Sequence, residues 1–184
     1  MLRSNAELWW AFFAGVLITA MYGAVLFFTR AVPAAGELFG HSLGIVGFIL
    51  MLMTEILYSL RKRARGSGWG RMAFWLQFHI FTGLVGPYMV LLHTSWKFNG
   101  LAGAVTLLTL IIVFSGVIGR YIFTRIPRTL DGMEIEGALP EAALRQARWL
   151  LSLWHTVHIP IGMALFISAF AHIGGALYYA TLLK

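Results

Sequence analysis

Five apolar stretches dominate the chain, at Leu8–Thr29, Ser42–Leu60, Met72–Trp96, Leu101–Phe123 and Trp149–Ala180. Each reaches the roughly 20 residues needed to cross about 30 Å of hydrocarbon. Backbone groups in lipid must find partners within their own segment, so each stretch predicts a helix. The last is long enough to tilt or to extend past the bilayer. The links are short except Thr124–Arg148, which carries Pro127, Pro140 and the acids Asp131, Glu134, Glu136 and Glu141. There Glu141 and Arg145 stand at i, i+4 spacing, which suits a short amphipathic helix. The expectation is an all-α membrane bundle of five helices forming a single domain over residues 1–184. Val32–Ala34 resembles a signal-peptide cleavage site, but the apolar run before it exceeds a secretory h-region, and the stretch is read as a retained span.

Composition strengthens this picture. The chain is 59% hydrophobic and only 11% charged, against about 25% charged in soluble domains. It has no cysteine, which excludes disulfides, iron–sulfur clusters, thiolate zinc sites, a catalytic cysteine and covalent haem attachment. The net charge of +7 is resolved by position. Eleven of the 14 basic residues fall at one set of helix ends: Arg3, Arg61, Lys62, Arg63, Arg65, Arg71, Arg120, Arg125, Arg128, Arg145 and Arg148. Only Arg30, Lys97 and Lys184 fall at the other. The positive-inside bias predicts a cytoplasmic N-terminus and an external C-terminus. The expected setting is a multi-pass protein of a bacterial-type inner (cell) membrane. Trp9, Trp10, Trp69, Trp75, Trp96, Trp149 and Trp154 lie mostly near the predicted ends, as in an aromatic belt.

The candidate chemistry lies in the histidines. Five of six sit within apolar stretches: His79, His93, His155, His158 and His172. Ionisable groups there are costly and point to function, although a neutral histidine bonded to a nearby carbonyl is the plain alternative for any single one. His79 and His93 are 14 residues apart on the third stretch, and His158 and His172 are 14 apart on the fifth. Fourteen residues is close to four helical turns, so each pair shares a face about 21 Å long. The orientation makes these two helices parallel. His79 is then expected opposite His158 near the cytoplasmic side, and His93 opposite His172 near the outer side. Two facing pairs suit two haem b groups with the four histidines as axial ligands to iron.

The segments FHIFTGLVGPYMVLLH (Phe78–His93) and WHTVHIPIGMALFISAFAH (Trp154–His172) resemble the bis-histidine membrane cytochromes b. One group with this spacing is the cytochrome b of quinol-oxidising bc complexes. The other is the ferric-reductase-like transmembrane domain of NADPH oxidases, which also resembles this chain in carrying ligands on helices three and five. The resemblance implies axial roles for His79, His93, His158 and His172, and a quinone as one redox partner. The chain departs from both groups. It carries no flavin or nicotinamide motif, no sixth helix, and no C-terminal half of a bc-type cytochrome b.

Other residues take supporting roles. Gly83 and Gly86 between the first two ligands would let a flat macrocycle approach, as would Gly44, Gly47, Gly116 and Gly119 on neighbouring helices; ordinary close helix packing is the alternative. Pro87 and Pro160 bend the ligand helices. Arg71, Arg120 and Arg148 are placed for the propionates of an inner haem and Lys97 for an outer one, or for membrane anchoring alone. His155 is a quinone or propionate contact; as a ligand in place of His158 it would lengthen the spacing to 17 and lose the register. His41 stands at the outer mouth of the second stretch. Glu55 is the only acid within a span. Glu55, His155 and His41 are the candidates for a quinone or proton site.

The expected function is a di-haem subunit of a membrane oxidoreductase complex. It moves electrons between a partner redox subunit and the quinone pool, in the lipid bilayer and without nucleic acid. One alternative passes electrons outward from a cytoplasmic flavoprotein. The other is a haem-free membrane anchor or metal carrier.

Overall fold

The structure is a computed structural model that describes residues 5–63, 70–127, 133–135 and 137–182. Arg3, Arg65, Trp69, Arg128, Asp131, Glu136 and Lys184 lie outside the described residues. Five helices follow in order: α1 (Ala6–Thr29), α2 (Leu38–Arg63), α3 (Met72–His93), α4 (Gly100–Phe123) and α5 (Glu141–Leu182). All five are long and apolar enough to cross a membrane. Large apolar side chains are exposed on every helix, from Trp9 and Phe13 on α1 to Ile167 and Tyr179 on α5. Such surface is costly in water but natural against lipid.

The ends differ from the sequence reading for local reasons. The third stretch stops at His93 rather than Trp96, because Ser95 and Trp96 take φ of 51° and 62°, a left-handed conformation uncommon for non-glycine residues. Hydrogen bonds hold this turn: Ser95 Oγ donates to the Pro33 carbonyl at 2.6 Å, and the Trp96 N–H donates to Thr94 Oγ1 at 3.1 Å. Helix α2 begins four residues earlier than Ser42, where the His41 N–H donates to the Glu37 carbonyl at 2.7 Å. At its other end it runs on to Arg63, and Arg61 reaches the Gly70 carbonyl at 3.0 Å. Helix α5 starts at Glu141, so the short amphipathic helix expected there is its first turns. The expected Glu141–Arg145 pair forms at 3.8 Å, fully in solvent, where such pairs add little. What sustains the extension is apolar: Ala147 and Leu151 bury against Ile126, with Leu144 and Trp154 around them. At 42 residues α5 is about 63 Å long, twice the hydrocarbon thickness.

The chain divides into two compact units. The first comprises residues 1–96 and 127–136, the second 97–126 and 137–184. In the first unit α3 is the central helix, packed on both α1 and α2. The α1 contact is made by Tyr22 with Leu43 and Leu92, and by a 2.6 Å hydrogen bond between Thr19 Oγ1 and the Tyr88 hydroxyl. The α2 contact is closer. A Cβ at Gly47 would come within 2.8 Å of the Gly86 carbonyl oxygen, and one at Gly86 within 2.8 Å of the Gly47 carbonyl oxygen. Two backbones touch there because neither carries a side chain, the small-residue packing by which helices associate in lipid. Thr82, fully buried, donates to the Phe78 carbonyl at 2.8 Å and accepts from Thr54 at 2.7 Å.

In the second unit α4 packs on α5. The Trp154 ring covers Gly119, where a Cβ would overlap it, and Trp154 Nε1 donates to the Ser115 carbonyl at 2.8 Å. Leu165 and Ala169 are the buried positions further along α5.

Gly86→Leu should force α2 from α3 and destabilise the protein by about 1–3 kcal/mol, as overpacked cores do. Gly23→Ala, with nothing within 4 Å of the added carbon, should stay within about 0.5 kcal/mol of wild type. Thermal unfolding of the full chain in detergent checks both, and equal melting temperatures would contradict the backbone contact.

Candidate functional site

The α2–α3 seam determines how two of the histidines sit. Helices α2 and α3 run antiparallel, and their contacts keep one register. His93 Nδ1 lies 2.8 Å from the Gly40 carbonyl oxygen, and His79 Nδ1 lies 3.0 Å from that of Thr54. Gly47 meets Gly86 midway between them. The two carbonyls are 14 residues apart on α2, as the two histidines are on α3, and the glycine contact is seven residues from each. One register therefore sets both rings.

These contacts also determine a tautomer. A carbonyl oxygen can only accept, so Nδ1 carries the hydrogen and donates it. In a neutral ring Nε2 then holds the lone pair. Histidines that ligate metals through Nε2 are oriented in this way by carbonyls or carboxylates. Further contacts pin the rings. His93 packs on Gly44, where a Cβ would lie 2.8 Å from its ring carbons. Tyr58 stacks beside His79 with ring centroids 4.8 Å apart.

In the second unit, His158 Nδ1 lies 2.9 Å from Ser115 Oγ. Its ring lies at 31° to that of Trp154, with centroids 4.6 Å apart. Gly116 leaves room beside it, since a Cβ there would sit 3.8 Å from His158 Cε1. The His155 ring lies beside that of Trp154, with centroids 4.7 Å apart and planes tilted by 52°. His172 is half-buried on α5 and, unlike the other three, is not held by a hydrogen bond among the described residues.

The remaining candidates take the following places. Gly86 lies against Gly47, and Gly83 lies 3.4 Å from the Thr54 methyl group. Arg71 precedes α3 and is exposed; Arg120 is half-buried in the last turn of α4; Arg148 and Lys97 are exposed. Glu55 is exposed on α2 and accepts a 3.4 Å hydrogen bond from Ser59. His41 is exposed, its ring 6.4 Å from that of His93. Among the described residues no three His, Asp or Glu side chains gather around one point. A haem, however, takes only two protein ligands at its iron. Three of the four histidines are held through Nδ1, two of them by α2 and one by α4.

The parts missed by sequence reasoning are the Gly40 and Thr54 carbonyls and the Ser115 hydroxyl. Carbonyls leave no mark in a sequence. The glycines did leave one, but Gly44 and Gly47 accommodate a histidine ring and a facing backbone. No family model, curated protein or solved structure matches the chain, and the fold and these contacts stand as the description of its class: an all-helical protein with five helices able to span a membrane.

Nitrogen-15 spectra of histidine-labelled full-length protein, prepared without added haem, should show hydrogen on Nδ1 for His79 and His93. Gly44→Val should disturb the His93 signal and leave that of His79 in place. A hydrogen on Nε2 of either ring would contradict the assignment.

Proposed function

We propose that this chain is the di-haem b subunit of a membrane oxidoreductase complex, carrying electrons across the bilayer between a partner redox subunit and a quinone. The observation that carries the reading is the paired tether of the α3 histidines. Both 14-spaced rings donate Nδ1–H to carbonyls with the same 14-residue spacing on α2. Each is thereby held in the tautomer that coordinates iron. The 14-residue spacing of His158 and His172 on α5 and the resemblance to bis-histidine cytochromes b support it further.

In this reading His79 and His158 hold the inner haem, and His93 and His172 the outer one. The positive-inside bias supports a cytoplasmic N-terminus and an external C-terminus, in a bacterial-type inner (cell) membrane. Bound haem would supply a one-electron iron couple, and the four histidines would hold it. The chain's own residues orient and insulate. Gly40, Thr54 and Ser115 hold ring nitrogens, Trp154 and Tyr58 cover ring faces, and the apolar helices exclude water. Arg71, Arg120 and Arg148 would meet the inner propionates and Lys97 the outer ones. Glu55, His155 and His41 are the groups offered for proton exchange with a quinone.

Purified protein should give a reduced-minus-oxidised b-type spectrum with two haems per chain, and His93→Ala should lose one of them. Retention of both would break the pairing, and a wild type without a Soret band would remove the haem reading. Quinol should reduce the haems in the intact complex, and failure to do so would remove the quinone role. Orientation is separately testable because the chain has no native cysteine. Cysteine introduced at Lys97 should react with impermeant maleimide from outside intact cells, and cysteine introduced at Arg63 only after lysis.

A further inference from the structure

Positive charge gathers at one end of the second unit. Of that unit's residues only Glu141 is acidic, whereas Arg120, Arg125, Arg145 and Arg148 all lie at this end. Helix α4 has 24 residues. It is about 36 Å long, so its ends reach headgroup depth on either side of about 30 Å of hydrocarbon. Ile126, just past the end of α4, buries against Ala147 and Leu151. That contact sets Arg145, Arg148 and Trp149 of α5 near the level of Arg125. The Arg125 guanidinium lies over the Tyr121 ring, 4.5 Å from its centroid, and donates to the Tyr121 hydroxyl. On α5, Arg145, Arg148 and Trp149 stand at i, i+3 and i+4 and share one face, and all three are exposed. Further into the span Leu153 and Ile159 are exposed too. From headgroup depth inward, the exposed surface of α5 is cationic, then aromatic, then aliphatic. Glu141 cancels little of this charge, because it meets Arg145 at 3.8 Å in open solvent, where such a pair is weak.

We infer that this end of the second unit binds an anionic phospholipid. The headgroup phosphate meets Arg145 and Arg148, Trp149 lies at the glycerol level, and an acyl chain follows Leu153 and Ile159. Arg125, held on Tyr121, adds charge at the same depth. Guanidinium N–H groups match phosphate oxygens in pairs, and arginines beside an anionic leaflet attract its lipids. An acidic protein segment would also meet the arginines, but it would leave the aliphatic part of the face unused. The basic end of α2 is arranged differently. Arg61, Lys62 and Arg63 are consecutive and so diverge around the helix, and Arg61 reaches the Gly70 carbonyl at 3.0 Å. The inference needs only the membrane setting of the helices and no bound haem.

The test is lipid competition on the full chain in detergent. Given equal phosphatidylglycerol and phosphatidylcholine, wild type should retain the anionic lipid in preference, read by native mass spectrometry. Phosphatidylglycerol should also raise its melting temperature, as a ligand of the folded state does. Arg145→Gln with Arg148→Gln removes two surface charges and should lower the preference about tenfold. Arg145→Lys with Arg148→Lys should keep part of it, because the charge stays and the planar fork is lost. Lys62→Gln with Arg63→Gln, an equal change of charge on α2, should leave it close to wild type. Equal retention of the two lipids by wild type would overturn the inference, whatever the variants do. An equal loss in both Gln pairs would also overturn it, since that marks diffuse attraction to a basic end. So would stabilisation by inorganic phosphate or polyglutamate that matches phosphatidylglycerol, because the occupant would then not be a lipid.

Discussion

The contact between the Gly47 and Gly86 backbones is the constraint from which the first unit's geometry follows. Two helices approach this closely only where neither presents a side chain, and that approach locks their register along the seam. Seven residues to either side of the contact, the register brings a histidine Nδ1 to a main-chain carbonyl. Both bonds are to backbone, so no substitution at Gly40 or Thr54 deletes the acceptor. The orientation of His79 and His93 is therefore a property of how the helices pack, not of a dedicated partner side chain. Each such bond contributes only about 1 kcal/mol net, but their larger consequence is to select one tautomer.

The second unit uses different means. A serine hydroxyl takes the place of the carbonyl at His158, and an indole ring lies against the imidazole. Trp154 does three things at once: it fills the surface left by Gly119, hydrogen-bonds the Ser115 carbonyl and covers His158. The α5 extension beyond any bilayer is carried by Ala147 and Leu151 on Ile126, buried apolar contacts, and not by the exposed Glu141–Arg145 pair. The rings of α3 are held by backbone carbonyls, whereas His158 of α5 is held by a side chain.

Several elements were legible before any coordinates. Twenty-residue apolar runs leave a lipid-embedded backbone no alternative to helix, so the five helices and the all-α class followed from composition along the chain. Their ends were less legible. Trp96 is apolar and extends the third run, but the left-handed turn at Ser95 and Trp96 breaks the helix before it, held by Pro33, a residue more than sixty positions earlier. Likewise Glu141–Arg148 reads as a polar loop, since the buried contacts that make it helix come from Ile126, across the link.

The amino-acid order by itself determined the five helices and the 14-residue repeat of the histidines, because periodicity and hydrophobicity are local properties of the chain. Only the tertiary structure decided which nitrogen of His79 and His93 carries the hydrogen, that Gly44 and Gly47 receive a ring and a backbone, and that Ser115 meets His158. Those outcomes depend on the register between helices. That register is set by backbone contacts and carbonyls, which every residue possesses and no sequence distinguishes.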